Sequence, residues 1–221
     1  MVTLPPATAA GQGLRVRGTA AVAGDDLTLT AELVIGDAQG FALAERVREL
    51  TEDVRKLAAR QIAQQMLPGW RVQSAAVDTD TPGQPFRLQC KARRTAAQQN
   101  GAQALLPLPL APGKFLANFG DRAERHLPAR LPVDMANEWD ITLDLGPDLA
   151  LAELPAPQLV LHDGLLYQLT TTRVGGHLRI QRTVRLTPTT MAPERFGDWL
   201  RALAAADRAD QQSLQLVARP R

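Results

Sequence analysis

The sequence predicts an α+β fold: antiparallel β-sheet built from two hairpins, with one long and one shorter helix packed on the sheet faces. Two observations predict the sheet. Gly24-Asp25 and Gly175-Gly176 each lie between two segments of alternating apolar and polar residues, and two-residue turns of this composition join hairpin strands. A third observation predicts the long helix, because apolar residues recur at helical spacing through residues 41–67.

The first hairpin has a defined register. Counting outward from Gly24-Asp25 pairs Val22 with Leu27 and Leu14 with Ile35. This register places the apolar residues of both strands on one face of the sheet. A slip of one residue would turn the whole apolar set toward water.

The second hairpin follows the same rule with one exception. Counting outward from Gly175-Gly176 pairs Leu186 with Leu165 and keeps the apolar residues on one face. Arg182 falls opposite Leu169, at a position where the pattern otherwise places apolar residues. The sequence therefore predicts one arginine on the inward face of this hairpin.

The helix predicted for residues 41–67 ends at Pro68-Gly69, a pair that stops helices. Its predicted buried stripe consists of Leu43, Val47, Leu50, Val54, Leu57, Ala58, Ile62 and Met66. Two strands follow, at residues 70–78 and 86–94, because polar and apolar residues alternate in both. Their inward residues are Trp70, Val72, Ser74 and Ala76 in the first strand and Phe86, Leu88, Cys90 and Ala92 in the second.

The proline-rich segment from residue 95 to residue 135 has no clear period, and its five prolines exclude a long helix. Beyond it we predict strands at 138–145, 159–161 and 214–218 and a helix at 193–209. The predicted division of the chain is a linker or added start at 1–12, a hairpin, helix and two-strand subdomain at 13–100, a connecting segment at 101–136, and a β-rich subdomain with the last helix and strand at 137–221.

Composition excludes several classes of protein. No apolar run is long enough to span a membrane. The net charge is only +2, no polybasic run occurs, and aromatic residues make up 4% of the chain, so we expect no binding to nucleic acid. The only cysteine is Cys90, which excludes internal disulfides. The sequence leaves the oligomeric state open.

Candidate catalytic residues have simpler structural interpretations. Cys90 could be a nucleophile, but its place in a strand between apolar residues favours a buried structural thiol. Asp78 and Asp80 resemble an acidic metal-binding pair, but their place before Pro82-Gly83 is typical of a turn. Asp140 and Asp144 should share a solvated strand face.

The remaining polar residues also form no predicted site. The three histidines have no partner at metal-ligand spacing, so no metal, cofactor or catalytic site is predicted; they are His126, His162 and His177. Basic residues line the outward strand faces, where they usually keep a sheet soluble; they are Arg15, Arg17, Arg87, Lys91, Arg93, Arg94, Arg179 and Arg185. Gly113-Lys114 lacks the rest of a phosphate loop.

The apolar segment from residue 105 to residue 110 leaves two interpretations open. Leu105, Leu106, Leu108 and Leu110 alternate with or adjoin two prolines and show no amphipathic face. Exposed, the segment would form a docking edge for a partner. Buried, it would be an irregular strand covering the sheet, and we favour this interpretation because a free apolar edge promotes aggregation.

Four segments resemble the C-terminal region of bacterial transglutaminase-like exported proteins, which follows a papain-like core. They are Gly24-Asp25-Asp26-Leu27, Leu67-Pro68-Gly69-Trp70-Arg71-Val72, Arg125-His126-Leu127-Pro128 and Pro193-Glu194-Arg195-Phe196. The resemblance covers most of the chain from Gly13 onward. It implies a periplasmic or extracellular parent protein whose catalytic Cys, His and Asp lie in the core, and no residue here matches that motif.

We therefore expect a non-catalytic accessory domain with a structural or protein-recognition role, whose partner is a transglutaminase-like core domain or another protein. A second hypothesis is a carrier that holds an apolar molecule between the long helix and the sheet, beside small residues such as Ala31, Ala58 and Ala76. A third is a hydrolase or transferase that uses Asp78, Asp80 or Cys90.

Overall fold

An eight-stranded mixed sheet forms the centre of the molecule in a computed structural model, which describes residues 13–78, 81, 83–95, 98–100, 103–119, 126–131 and 134–219. Strands occupy 49% of the chain and helices 26%, so the fold is mostly β. The predicted α+β class, a two-hairpin antiparallel sheet with one long and one shorter helix, is therefore wrong. Residues 1–12, Asp80 and Arg125, on which predictions were made, lie outside the described residues.

The described elements number fourteen strands and four helices. In chain order they are β1 (Leu14–Ala23), β2 (Asp26–Ile35), α1 (Ala38–Arg48), α2 (Glu52–Met66), β3 (Arg71–Asp78), β4 (Phe86–Thr95), β5 (Gln98–Asn100), β6 (Gln103–Pro107), α3 (Phe115–Phe119), β7 (Ala129–Leu131), β8 (Met135–Asp144), β9 (Leu149–Leu151), β10 (Gln158–His162), β11 (Leu165–Val174), β12 (His177–Leu186), β13 (Thr189–Met191), α4 (Pro193–Asp210) and β14 (Ser213–Ala218).

Both predicted hairpins have the predicted register. β1 and β2 pair Val22 with Leu27 and Leu14 with Ile35. β11 and β12 pair their residues as counted, with Arg182 opposite Leu169. Each hairpin forms because an alternating pattern and a tight glycine turn specify the same pairing.

The two hairpins lie in one sheet rather than in two. The strand order is β10-β11-β12-β8-β1-β2-β4-β3, and β1 runs parallel to β8 at its centre. In that parallel pair Val16 lies beside Trp139 and Gly18 beside Ile141. The sheet thus contains strands from both sides of the proline-rich segment, and the division into subdomains stays a prediction.

Helices and a smaller sheet cover the apolar face of the main sheet. α1 and α2 lie against β2, β4 and β3, and α4 lies against β10 and β11. The smaller sheet has the order β5-β6-β14-β9, and its buried leucines join the same core. β7 and β13 form a separate two-stranded ladder.

The single long helix predicted for residues 41–67 is wrong, because α1 and α2 are separate helices. Asp37 begins α1 by accepting a hydrogen bond from the Gly40 amide at 2.8 Å. At its other end the Arg55 guanidinium donates to the carbonyl oxygens of Arg48 and Leu50, at 3.1 and 3.0 Å. These bonds satisfy backbone carbonyl oxygens at and just after the end of α1, and they stabilise the interruption between α1 and α2.

The predicted stripe is confirmed in part, because Val47 is buried and Leu43, Leu50, Ile62 and Met66 pack against the core. Small residues, Ala44, Ala59 and Ala63, are buried, whereas Val54 is 48% and Leu57 58% exposed. Small side chains allow the helices to approach the sheet closely. The helix period therefore identified most of the stripe, but it missed the three alanines that close packing buries.

Strand β3 contains a bulge, and beyond it the residues that face the core are not the predicted ones. Val72 pairs with Ala92 and Ser74 with Lys91, so Gln73 is an extra residue in this strand. After the bulge Ala75, rather than Ser74 or Ala76, lies beside Cys90 on the apolar side. β4 keeps the predicted inward residues, and Phe86, Leu88, Cys90 and Ala92 are all at most 4% exposed.

The apolar segment of residues 105–110 covers the sheet, as the buried interpretation predicted. Leu106, Leu108 and Leu110 are at most 3% exposed, and Leu105 is 40% exposed. The Arg94 guanidinium fixes the segment by donating to the carbonyl oxygens of Pro107, at 2.9 Å, and Leu108. Among the described helices, none is long and apolar enough to span a membrane.

Candidate functional site

A buried ion pair joins the second hairpin to the last helix. The Arg182 guanidinium donates from Nη1 to Oδ2 of Asp210 at 2.8 Å, and their side chains are 2% and 1% exposed. Arg182 is the exception that the hairpin pattern placed on the inward face. Asp210 was not identified from the sequence, because an aspartate at the end of a helix gives no sign of burial.

Other groups complete the shell around this pair. The Tyr167 hydroxyl donates to Oδ1 of Asp210, and the Gly113 amide donates to Oδ2, both at 2.8 Å. Arg182 also donates to the Ala111 carbonyl at 2.7 Å and to the Asn137 amide oxygen at 3.3 Å. Burial, followed by the negative charge of Asp210, raises the pKa of Tyr167 far above its usual value, so the hydroxyl stays protonated.

These bonds anchor the connecting segment between β6 and α3. One turn earlier in α4, the Asp207 carboxylate accepts hydrogen bonds from the amides of Phe115 and Leu116, at 2.6 and 2.9 Å. The Phe115 ring meets the Tyr167 ring edge-on, with 6.0 Å between centroids. Arg182, Asp207 and Asp210 thus hold an irregular segment onto the sheet and α4, which is a structural role.

A cleft of about 250 Å³ lies next to this ion pair, and we call it the Trp139 cleft. It is bounded by the start of β1, by β8, by the end of α2 and by the segment around α3. Its lining combines apolar and amide side chains with the indole ring of Trp139 and the guanidinium group of Arg182.

A larger cleft of about 720 Å³ lies between α2 and the ends of β3 and β4, and we call it the arginine cleft. Four arginines and one aspartate supply its charged lining: Arg60, Arg71, Arg93, Arg94 and Asp26. The bulge residue Gln73 lies on the same wall, and its carbonyl accepts a hydrogen bond from Arg60 at 3.3 Å.

The four arginines of this cleft are not equivalent. Arg93 forms a salt bridge with Asp26. Arg94 stacks over Trp70, with 4.5 Å to the ring centroid, and burial lowers its pKa to about 10, which leaves it charged at neutral pH. Among the described residues neither Arg60 nor Arg71 has a carboxylate partner within salt-bridge distance. The cleft therefore presents uncompensated positive charge.

Cys90 lies in the middle of β4 and is 4% exposed. Burial raises the pKa of its thiol from 9.0 to about 11, so the thiol is protonated at neutral pH. Among the described residues, no group of three or more His, Cys, Asp or Glu side chains could hold a metal ion. His177 lies near a carboxylate, with 3.8 Å from its Nδ1 to Oδ1 of Asp144.

The described members of the predicted acidic residues, Asp78, Asp140 and Asp144, have different surroundings. Asp78 ends β3 and lines a cleft of about 230 Å³ with Arg48 and Arg87. Asp140 accepts two hydrogen bonds from Arg179, at 2.7 and 2.8 Å, and these bonds lower the pKa of Asp140. Asp144 accepts from the Gly146 amide at 2.8 Å and stabilises a turn.

Most of the predicted basic residues form ion pairs across the open face of the sheet. These pairs are Arg15–Glu138, Arg87–Glu32, Arg93–Asp26, Arg179–Asp140 and Arg185–Glu138. Their side chains are partly exposed, so each pair contributes little to stability and mainly keeps this face soluble. The Gly113 amide, which a phosphate loop would leave free, is bonded to Asp210.

A groove of about 470 Å³ lies between α2 and β3, the region where the carrier hypothesis places its ligand. Leu57, Ala75 and Ala76 line it together with charged side chains of α2, including Lys56 and Arg60. The buried Ala59 and Ala63 close the helix onto the sheet beneath it. The carrier hypothesis stays a prediction.

Comparison with known proteins gives one family match. A family model described as a domain of unknown function with a solved structure, DUF3858, matches residues 103–216. This range runs from β6 to β14 and includes the Arg182–Asp210 pair. No curated protein and no solved structure matches the chain.

Proposed function

The chain belongs to the DUF3858 family, and on that premise we propose that it is a non-catalytic accessory module that recognises an acidic protein surface through the arginine cleft. The observation that carries this proposal is the charge of the cleft. Four arginines face one aspartate there, and Arg60 and Arg71 have no carboxylate partner among the described residues. A concave surface of one charge attracts a partner of the opposite charge and orients it.

Protein, rather than nucleic acid, fits the composition of this cleft. Bases bind to single-strand sites by stacking on aromatic rings. The described residues that line the arginine cleft include no aromatic side chain, and the nearby Trp70 is 2% exposed with Arg94 stacked over it. Carboxylate side chains need only the guanidinium groups, which bind them through paired hydrogen bonds.

A non-catalytic role agrees with the state of the buried reactive groups. The Cys90 thiol is buried and protonated, and the Tyr167 hydroxyl donates its hydrogen bond to Asp210. Arg182 and Asp210 form an ion pair with each other, and each is also hydrogen-bonded to a backbone group. These contacts support a role in which the polar residues stabilise the fold and the surface charges bind a partner.

The resemblance to transglutaminase-like proteins suggests the identity of this partner. On this proposal the parent protein is exported to the periplasm or the cell exterior, and the acidic surface belongs to its papain-like core domain. The module would then hold the core in place or present it to a substrate protein.

The test is the affinity of the chain for a fluorescent octaglutamate peptide, measured by anisotropy. Arg60→Gln combined with Arg71→Gln should weaken binding by about tenfold or more, because charge-assisted hydrogen bonds to carboxylates are lost. The matched control is Arg46→Gln combined with Arg130→Gln, two exposed arginines outside the cleft. It removes the same net charge and should leave the affinity within about twofold of the wild-type value.

Salt provides a second criterion, because surface electrostatic binding is screened by ions. Affinity should fall steeply between about 50 and 200 mM salt. Absence of binding at low salt, or equal weakening by the two double variants, would contradict recognition through this cleft. Equal weakening would mean that net charge alone attracts the peptide.

A further inference from the structure

The Trp139 cleft lies beside β8, the strand that stands between the two hairpins of the main sheet. Apolar side chains from four elements form part of its wall: Leu14 from β1, Met66 from α2, Phe119 from α3 and Met135 from β8. Its volume of about 250 Å³ is slightly below the usual range for ligand pockets, so it fits a fragment of about one residue.

Two hydrogen-bond donors in the lining have no acceptor among the described residues. They are Nε1 of Trp139 and Nε of Arg182, and both are buried. Trp139 is 1% exposed, and the Arg182 guanidinium lies over its ring at 5.3 Å from the centroid. A buried N–H group without an acceptor costs free energy, which an acceptor supplied by a ligand would recover.

The charge of the lining indicates which kind of acceptor fits. Among the described residues that line this cleft, Arg182 is the only charged one, and Asp210 already neutralises it. A carboxylate ligand would therefore bring an uncompensated negative charge next to a buried ion pair that is already neutral, which is unfavourable. A neutral carbonyl oxygen accepts the same hydrogen bonds without this cost.

Amide side chains in the lining complement such a carbonyl. Oδ1 of Asn137 accepts from Arg182 at 3.3 Å, which leaves the Asn137 nitrogen as a donor at the cleft. Gln65 and Asn118 also line the cleft. Side-chain amides both donate and accept, as the amide group of a peptide does.

We propose that the Trp139 cleft binds a neutral amide, with the carbonyl oxygen of the ligand accepting from Trp139 Nε1 and Arg182 Nε and an apolar group lying between Met66 and Phe119. The same chemistry is present in a short peptide segment and in a small free amide. This site is separate from the arginine cleft and does not depend on the function proposed for it.

The test uses the three tryptophan indole N–H signals in a nitrogen-15 NMR spectrum, assigned with single Trp→Phe variants. N-acetyl-leucine amide should shift the Trp139 signal saturably, whereas Trp70 and Trp199 serve as internal controls because neither lines the cleft. N-acetyl-leucine has the same apolar group but carries a carboxylate, and it should bind at least about fivefold more weakly.

A variant separates hydrogen bonding from packing. Trp139→Phe keeps an aromatic ring but removes the N–H, and it should weaken binding of the amide by about fivefold or more, measured by calorimetry. A capped leucine tripeptide distinguishes the two sources, because only a peptide site would bind it more tightly than the single amide. An unshifted Trp139 signal, tighter binding of the carboxylate, or unchanged affinity in the variant would each overturn the inference.

Discussion

Arg182 and Asp210 are both removed from water, so each is tolerated only because the other neutralises it. A buried ion pair of this kind adds little net stability compared with apolar residues, but loss of one member leaves a buried charge without compensation. The hydrogen bonds from Tyr167 and Gly113 to Asp210 add to the loss if the carboxylate is removed.

Asp210→Asn should therefore lower the free energy of unfolding by about 3–5 kcal/mol, measured by urea denaturation. Asp140→Asn is the matched control, because it removes an ion-paired aspartate from a partly exposed site, and it should cost about 1 kcal/mol or less. Equal losses in the two variants would show that burial does not determine the contribution of the Arg182–Asp210 pair.

The buried thiol of Cys90 should make the stability of the fold depend on pH. Because burial raises the pKa of its thiol from 9.0 to about 11, the unfolded chain releases the thiol proton before the folded chain does. The stability from this residue is therefore present below pH 9.0 and is lost as the pH rises to about 11. The wild type should lose about 2 kcal/mol relative to Cys90→Ala over this window, measured by urea denaturation.

Some residue-scale features could be predicted from the sequence. The register count placed Arg182 on an apolar face, and the alternation in β4 placed Cys90 in the core. Asp210 and Trp139 could not be recognised as neighbours of Arg182, because their proximity depends on the pairing of β8 with β12 and on where α4 lies on the sheet. The arginine cleft likewise combines residues from α2, β2, β3 and β4.

At the scale of elements, close packing determines which small residues of the helices are buried, and periodicity alone does not reveal them. The helix pattern predicted one helix with a stripe of mostly large apolar residues, whereas two helices are present and their fully buried residues are Gly40, Ala44, Val47, Ala59 and Ala63. Gly40 shows how close the approach is, because a Cβ atom there would lie 2.0 Å from the Ile35 carbonyl oxygen. No side chain fits without moving α1 away from β2.

Gly40→Ala should accordingly lower the free energy of unfolding by about 2 kcal/mol or more, because overpacking forces backbone shifts. Gly176→Ala is the control, since a Cβ atom at that hairpin turn would meet nothing within 4 Å. Thermal unfolding of both variants measures the difference. A neutral Gly40→Ala variant would contradict the close contact between α1 and β2.

The bulge in β3 helps to protect the outer edge of the sheet from pairing with a strand of another chain. Gln64 of α2 accepts a hydrogen bond from the Val72 amide at 3.2 Å, and Arg60 donates to the Gln73 carbonyl. These contacts occupy backbone groups of the last strand in the sheet, and the bulge disturbs its pairing geometry. The same bulge places Gln73 on the wall of the arginine cleft.

At the scale of the whole molecule, β8 joins the two hairpins into one sheet, because it pairs antiparallel with β12 and parallel with β1. Alternation within a strand specifies its faces but not its neighbour, so the parallel contact could not be predicted from the sequence. A parallel pair also needs a long connection, and here more than a hundred residues separate the two strands. The mixed sheet follows from this single contact.

Residues 103–216, the range of the family match, should therefore not fold alone, because β8 would lose β1 and the core would lose the first hairpin. We expect no cooperative thermal transition by circular dichroism for this fragment, whereas residues 13–219 should show one. A fragment that unfolds cooperatively at the temperature of the longer chain would contradict the dependence of β8 on β1.

Binding through the arginine cleft is tested most directly by the arginine side-chain signals in a nitrogen-15 NMR titration with octaglutamate. The Nε signals of Arg60 and Arg71 should shift saturably, while those of Arg46 and Arg130, which lie outside the cleft, should not shift. Equal shifts at all four arginines, or no shift at Arg60 and Arg71, would contradict recognition of an acidic partner through this cleft.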